Sequence, residues 1–101
     1  MVRGYIRPLD PRPLDAAWLA MASDWFPPPA FARLAPPTGG VSIDLTTHIH
    51  RPHYVLGAEE WLAGEFEIVE SSAGLAVEHG RIVGPDGTLL VESIQTRLTA
   101  Q

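Results

Sequence analysis

The chain has 101 residues, 46% of them apolar, a formal net charge of −5, arginine but no lysine among its cations, and no cysteine. Scattered arginines on an acidic background form no basic stripe for a phosphate backbone, which argues against nucleic acid as a partner, and the lack of cysteine excludes disulfides, thiolate nucleophiles and cysteine-ligated metal. No apolar run approaches the ~20 residues that span a bilayer, and the opening MVRGYIRP lacks the apolar core of a secretion signal, so a cytoplasmic protein is expected.

Residues 1–101 are expected to form one domain. A chain of this size buries only roughly 60–70% of its unfolded surface. An exposed apolar sheet edge or face then favours self-association, and a partner chain is expected.

Val2 to Arg7 suits a short strand, ended by Pro8, Pro11 and Pro13. Pro13 fits the first turn of a helix, where its missing N–H would have no partner anyway. From there Leu14, Trp18, Met21, Ala22 and Trp25 recur at helical spacing and predict one apolar stripe to lie on a sheet. Pro27-Pro28-Pro29 must break or redirect the helix. A second turn, Ala30 to Leu34, and a loop, Ala35 to Gly40, are expected next.

From Val41 the period changes to two. Val41, Ile43, Leu45 and Ile49 are expected on one side of a strand, with Ser42, Asp44, Thr46, His48 and His50 on the other. Trp61 to Ser71, Gly74 to Val83 and Thr88 to Leu98 predict three more strands. Gly84-Pro85-Asp86-Gly87 joins the last two, since proline sets φ for a turn and glycine supplies positive φ. Strand, helix and then four strands without intervening helices imply antiparallel pairing and an α+β domain.

Several side chains carry chemistry. Asp24 falls roughly 90° around the helix from the centre of the predicted stripe. A carboxylate there, between Trp18, Met21, Trp25 and the prolines, is a candidate general base, partly desolvated, with a solvated helix-end aspartate as the plain alternative. His48 and His50 share a strand face with Asp44, and His53 follows, which invites a metal reading of the cupin-like barrel kind. The later acids, Glu59 and Glu60, and the isolated His79 do not complete such a site, and a polar outer strand face is the alternative. Gln95 and Ser93 alternate with Ile94 on the last strand and share a face with Leu89 and Val91, so a buried amide there needs partners. Trp18, Trp25 and Trp61 suit a core or an interface. Glu65, Glu67, Glu70 and Glu78 suit a solvated face.

LDAAWLAMASDWFPP, SIDLTTHIHRP and GRIVGPDGTLLVESIQ, in that order and separated by a strand pair that opens on a tryptophan, resemble the second half of the acyl-CoA thioesterase II type of double hot-dog protein. The resemblance runs over nearly the whole chain. It implies a hot-dog fold, an antiparallel sheet of about five strands wrapped around one long helix. It also implies an Asp-Ser-Gln set in which Asp24 and Gln95 match the family's catalytic residues, and Ser42 stands where the family usually has threonine. Such a set would hold and activate a water against an acyl-CoA or related thioester carbonyl, without an acyl-enzyme intermediate and without a cofactor. Family chains usually carry two hot-dog units, so a single unit is expected to be a free-standing form that dimerises or half of a longer protein. Simple alternation puts Ser42 on the face away from the helix, a conflict that a bulge after Gly39-Gly40 or a site at the subunit edge would resolve. A non-catalytic acyl-binding or structural half is the alternative within the same fold.

Overall fold

Strand β1 (Val2–Ile6), helix α1 (Ala16–Ser23) and strands β2 (Gly40–Ile49), β3 (Leu62–Ser72), β4 (Leu75–Val83) and β5 (Leu89–Thr99) follow one another in the computed structural model, which describes residues 1–10, 12–25 and 40–99. The expectations for Pro27 to Pro29, Ala30 to Leu34 and Ala35 to Gly39 lie outside the described residues; Gly40 itself opens β2. The five strands form one antiparallel sheet in the order β1-β3-β4-β5-β2.

Two hairpins make the β3-β4-β5 meander. Ala73 and Gly74 join β3 to β4 with φ of 52° and 77°, the pair of positive φ values that matches a two-residue turn to strand twist. Gly84 to Gly87 form the predicted turn, with Gly87 N–H donating to Gly84 O at 2.9 Å and Gly87 at φ 85°. Because β1 lies at one edge and β2 at the other, their connection must cross the sheet, roughly 19 Å at ordinary strand spacing. Helix α1 makes part of that crossing on one face, packed on β5, β2 and β4.

The helix is capped by Asp15, whose carboxylate accepts Trp18 N–H at 2.8 Å and so satisfies one of the orphan donors of a helix start. Pro13 therefore lies two residues ahead of the cap rather than in the first turn. The described helix has eight residues, shorter than the one long helix expected. Its buried face is Leu19, Ala22 and Ser23, whereas Met21 and Trp25 are 44% and 69% exposed. Of the predicted stripe, Leu14 and Ala22 are buried and Trp18 packs partly buried against the core, while Leu19 and Ser23 are buried where Met21 and Trp25 were expected.

Leu19 and Ala22 join Leu14, Ile6, Leu62, Phe66, Ile82, Leu90 and Val91 in the core. Each fully buried leucine, isoleucine or valine contributes about 1.5–3 kcal/mol. Leu14 also ties the pre-helix segment to the loop after β2, donating to Tyr54 O at 3.0 Å and accepting from His53 N at 2.7 Å.

Tyr54 reaches on to the β4-β5 turn, where its hydroxyl donates to Asp86 Oδ1 at 3.3 Å and lies against Gly84. The Thr88 N–H bond holds the Asp86 carboxyl below its ordinary range. Partial burial, and then the Asp86 charge, push the Tyr54 phenol up. A raised phenol favours the fold below the unfolded value of about 10 and loses that contribution as pH rises through the folded value. Asp86→Ala is therefore expected to bring the Tyr54 titration down and to soften the alkaline loss of stability, read by tyrosinate absorbance in a Tyr5→Phe background. An unchanged titration rules the coupling out.

No helix among the described residues is long and apolar enough to cross a membrane.

Candidate active site

Opposed residues in an antiparallel pair share a face, so the register resolves the helix-covered side into rows. Gly4, Gly64, Ile82, Val91 and Ile49 form one row across all five strands, and Val2, Phe66, Gly80, Ser93 and Thr47 form the next. Helix α1 ends over this second row, where Ser23 Oγ lies 3.4 Å from Thr47 Oγ1 while also donating to Ala20 O at 2.7 Å. One step further, the row Ile68, Glu78, Gln95 and Leu45 is mixed, and beyond it stand Ala76, Arg97 and Ser42.

Polar groups are thus gathered just past the end of the helix, and they are buried. Glu78, Ser93, Gln95 and Arg97 are between 3% and 8% exposed. Arg97 Nε donates to Glu78 Oε1 at 2.7 Å, and Arg97 Nη2 donates to Gln95 Oε1 at 3.0 Å. Charge-assisted bonds of this kind are short and roughly twice as strong as neutral ones. The expectation of a solvated Glu78 is thereby corrected, because β4 pairing sets it directly opposite Gln95 on the covered face.

The expected side assignment of β2 is corrected as well. A register shift lies between Ser42 and Asp44, the mark of a bulge, in which one strand carries an extra residue and the alternation resets. Ile43 is accordingly 58% exposed, and position 42 pairs with Arg97. The bulge falls three residues beyond the Gly39-Gly40 pair suggested from the sequence. The side chain of Ser42 lies outside the described residues.

Asp24 is the C-cap of α1, adjoining Ser23, with its backbone N–H donating to Met21 O at 3.1 Å. It is exposed at the end of the helix, and the prolines of its expected setting lie outside the described residues. The structure brings the end of α1 and the Gln95 row to the same region of one face. Arg97 and Glu78 escaped the sequence reading, although strand alternation puts Arg97 beside Gln95 and counting back from the Gly84–Gly87 turn puts Glu78 opposite it.

The histidines lie elsewhere. His48, His50, His53 and His79 are exposed, and His50 Nε2 lies 2.8 Å from Glu92 Oε1. Among the described residues no group of three or more histidine, aspartate or glutamate side chains is placed to hold a metal ion. A groove of about 520 Å³ is lined by His48, Glu65, His79 and Glu92 together with Phe66, Gly80 and Ser93, and Gln95 is not among its lining residues.

With this geometry established, the sequence matches the family described as acyl-CoA thioesterase C-terminal domain over residues 1–99. The chain belongs to that family. Its α+β sheet and helix are a hot-dog fold, as in a hot-dog protein of unknown function from Alicyclobacillus acidocaldarius, with a TM-score of 0.82 at 24% identity. The acyl-CoA thioesterase II TesB2 of Mycobacterium marinum superposes with a TM-score of 0.75 at 26% identity. These alignments cover 98% and 97% of this thioesterase-family chain but only 38% and 40% of the two relatives, so it spans about two fifths of their length. A Bacillus halodurans protein, BH2602, solved with CoA, aligns over 99% of this chain and 66% of its own with a TM-score of 0.70 at 18% identity. No curated protein matches the sequence.

Proposed function

We propose that the chain is a thioester hydrolase acting on acyl-CoA or a related acyl thioester, working as a pair of hot-dog units. The observation that carries this reading is the family match over residues 1–99 combined with a buried Gln95 just past the end of the helix that bears Asp24. In the proposed reaction a water oxygen bonds to the thioester carbonyl carbon, and Asp24 takes the water proton. The C–S bond then breaks, and the proton passes to the departing thiolate. Gln95 orients the carbonyl or water through its amide, and Ser42 does so through its hydroxyl. A second unit, a copy of this chain or an adjoining one, would close over the exposed Asp24 and supply the desolvation that a general base gains from burial.

The exposure of Asp24 in the single chain, and the two-fifths span of its relatives, favour one other reading. In that reading the unit binds an acyl group or completes a partner without turnover.

The test is thiol release from a panel of acyl-CoAs, followed with a thiol-reactive chromophore. The chain has no cysteine and gives no background. Native protein is expected to release CoA and Asp24→Asn to lose on the order of 100-fold or more in rate. Equal rates remove Asp24 from the reaction; an inactive native chain that still binds an acyl-CoA supports the second reading. Light scattering on the same sample is expected to give a dimer or larger assembly, and a lone monomer at micromolar concentration counts against paired units.

A further inference from the structure

We infer that Arg97 is a positioning residue, held by Glu78, that fixes which end of the Gln95 amide meets the substrate. The inference rests on the hydrolase reading above. An amide's two ends have nearly the same shape but opposite hydrogen-bonding character: one end accepts, the other donates. A glutamine turned over by 180° would present an acceptor to a thioester carbonyl, where a developing oxyanion needs a donor.

Arg97 removes that ambiguity. Guanidinium groups have donors only, so the end of Gln95 lying 3.0 Å from Arg97 Nη2 must be the carbonyl Oε1. The NH₂ end is thereby the donor directed elsewhere. Glu78 fixes the guanidinium in turn, taking Nε–H at 2.7 Å. The pair is diagonal, since Glu78 stands opposite Gln95 and buried Ala76 stands opposite Arg97. A small side chain at 76 leaves the guanidinium room to swing across to β4. A cationic donor on Oε1 also draws electron density from the amide and strengthens its N–H groups as donors, by the polarisation that runs along hydrogen-bond chains.

The test is a cycle of variants with thiol release as the readout. Glu78→Leu with Arg97→Met removes both charges together, so no ion is left stranded in the interior. It is expected to fold with an unchanged or raised thermal midpoint, to lose on the order of 100-fold in kcat, and to keep KM within about twofold. In a Gln95→Ala background the same two changes are expected to cost nothing further, because Arg97 acts through Gln95. Unchanged kcat in the native background, or losses that multiply, would overturn the role.

Single substitutions give a second route if the charge-free pair fails to fold. Arg97→Lys keeps a donor-only cation and is expected to stay within about threefold to tenfold of native, whereas Arg97→Gln, which also offers an acceptor, falls well below it. Equal losses for the two overturn the role. A native chain that releases no thiol from any acyl-CoA overturns the hydrolase reading and this role with it, whereas an active chain with multiplying losses overturns this role alone.

Discussion

Arg97→Met alone is expected to lower the unfolding free energy by about 3–5 kcal/mol, because it leaves Glu78 as a buried charge without its cation. That is a large part of the ~5–15 kcal/mol by which a domain is stable. Both side chains are buried in the native fold, at 10% and 4% exposure for Arg97 and Glu78, so water cannot replace the lost partner cheaply. Replacing both with apolar groups of similar volume removes the stranded charge, and such exchanges are often neutral or stabilising. The signature is therefore non-additive: one change is damaging, while two are nearly silent. Denaturant unfolding followed by tryptophan fluorescence measures it directly. A single variant within about 1 kcal/mol of native would mean that the ion pair is solvated in practice, as surface pairs are.

Gly80→Ala is expected to destabilise by about 3 kcal/mol, towards the upper end of ordinary overpacking. Gly80 sits between Phe66 and Ser93 in the row beneath the end of α1. A Cβ at Gly80 would lie 2.1 Å from Phe66 Cδ1, 2.2 Å from Cε1 and 2.8 Å from Ser93 Oγ. The Phe66 ring is itself part of the core, at 7% exposure, so it cannot leave without uncovering apolar surface. Trimming the ring should release the clash, and Phe66→Leu is expected to recover part of the loss in the Gly80→Ala background while destabilising on its own. Additive effects in that double-mutant cycle would show that the ring does not press on position 80. Since the same row carries Ser93 and Thr47, the displaced ring is also expected to disturb the neighbouring Gln95 row.

The strands, their succession along the chain and the Gly84–Gly87 turn were legible because each rests on a local signal, a two-residue period or proline and glycine at turn positions, whereas the order of strands in the sheet was not. The helix was legible but its direction was not. Leu14, Trp18, Met21, Ala22 and Trp25 marked the inward stripe, and Leu14, Ala22 and in part Trp18 do turn inward, but Leu19 and Ser23 are buried where Met21 and Trp25 were expected. For the site, Gln95 was legible as an amide that would need partners if buried, but which residues those are was not. Glu78 looks like its neighbours Glu65 and Glu67 until pairing across β4 and β5 shows which face it occupies. The bulge was suggested after Gly39-Gly40 rather than at Ile43, because an extra residue in a strand leaves no mark in composition.

That extra residue gives β2 two phases rather than one. Everything from Asp44 to Ile49 keeps a single register with β5, while position 42 is indexed separately. Removing Ile43 would merge the phases without changing a pairing, since the β5 partners of Ser42 and Asp44, Arg97 and Thr96, are already consecutive. The inserted residue is thus absorbed where it lies, so a one-residue change in length that would shift the side-chain faces of an ordinary strand is confined here to the bulge.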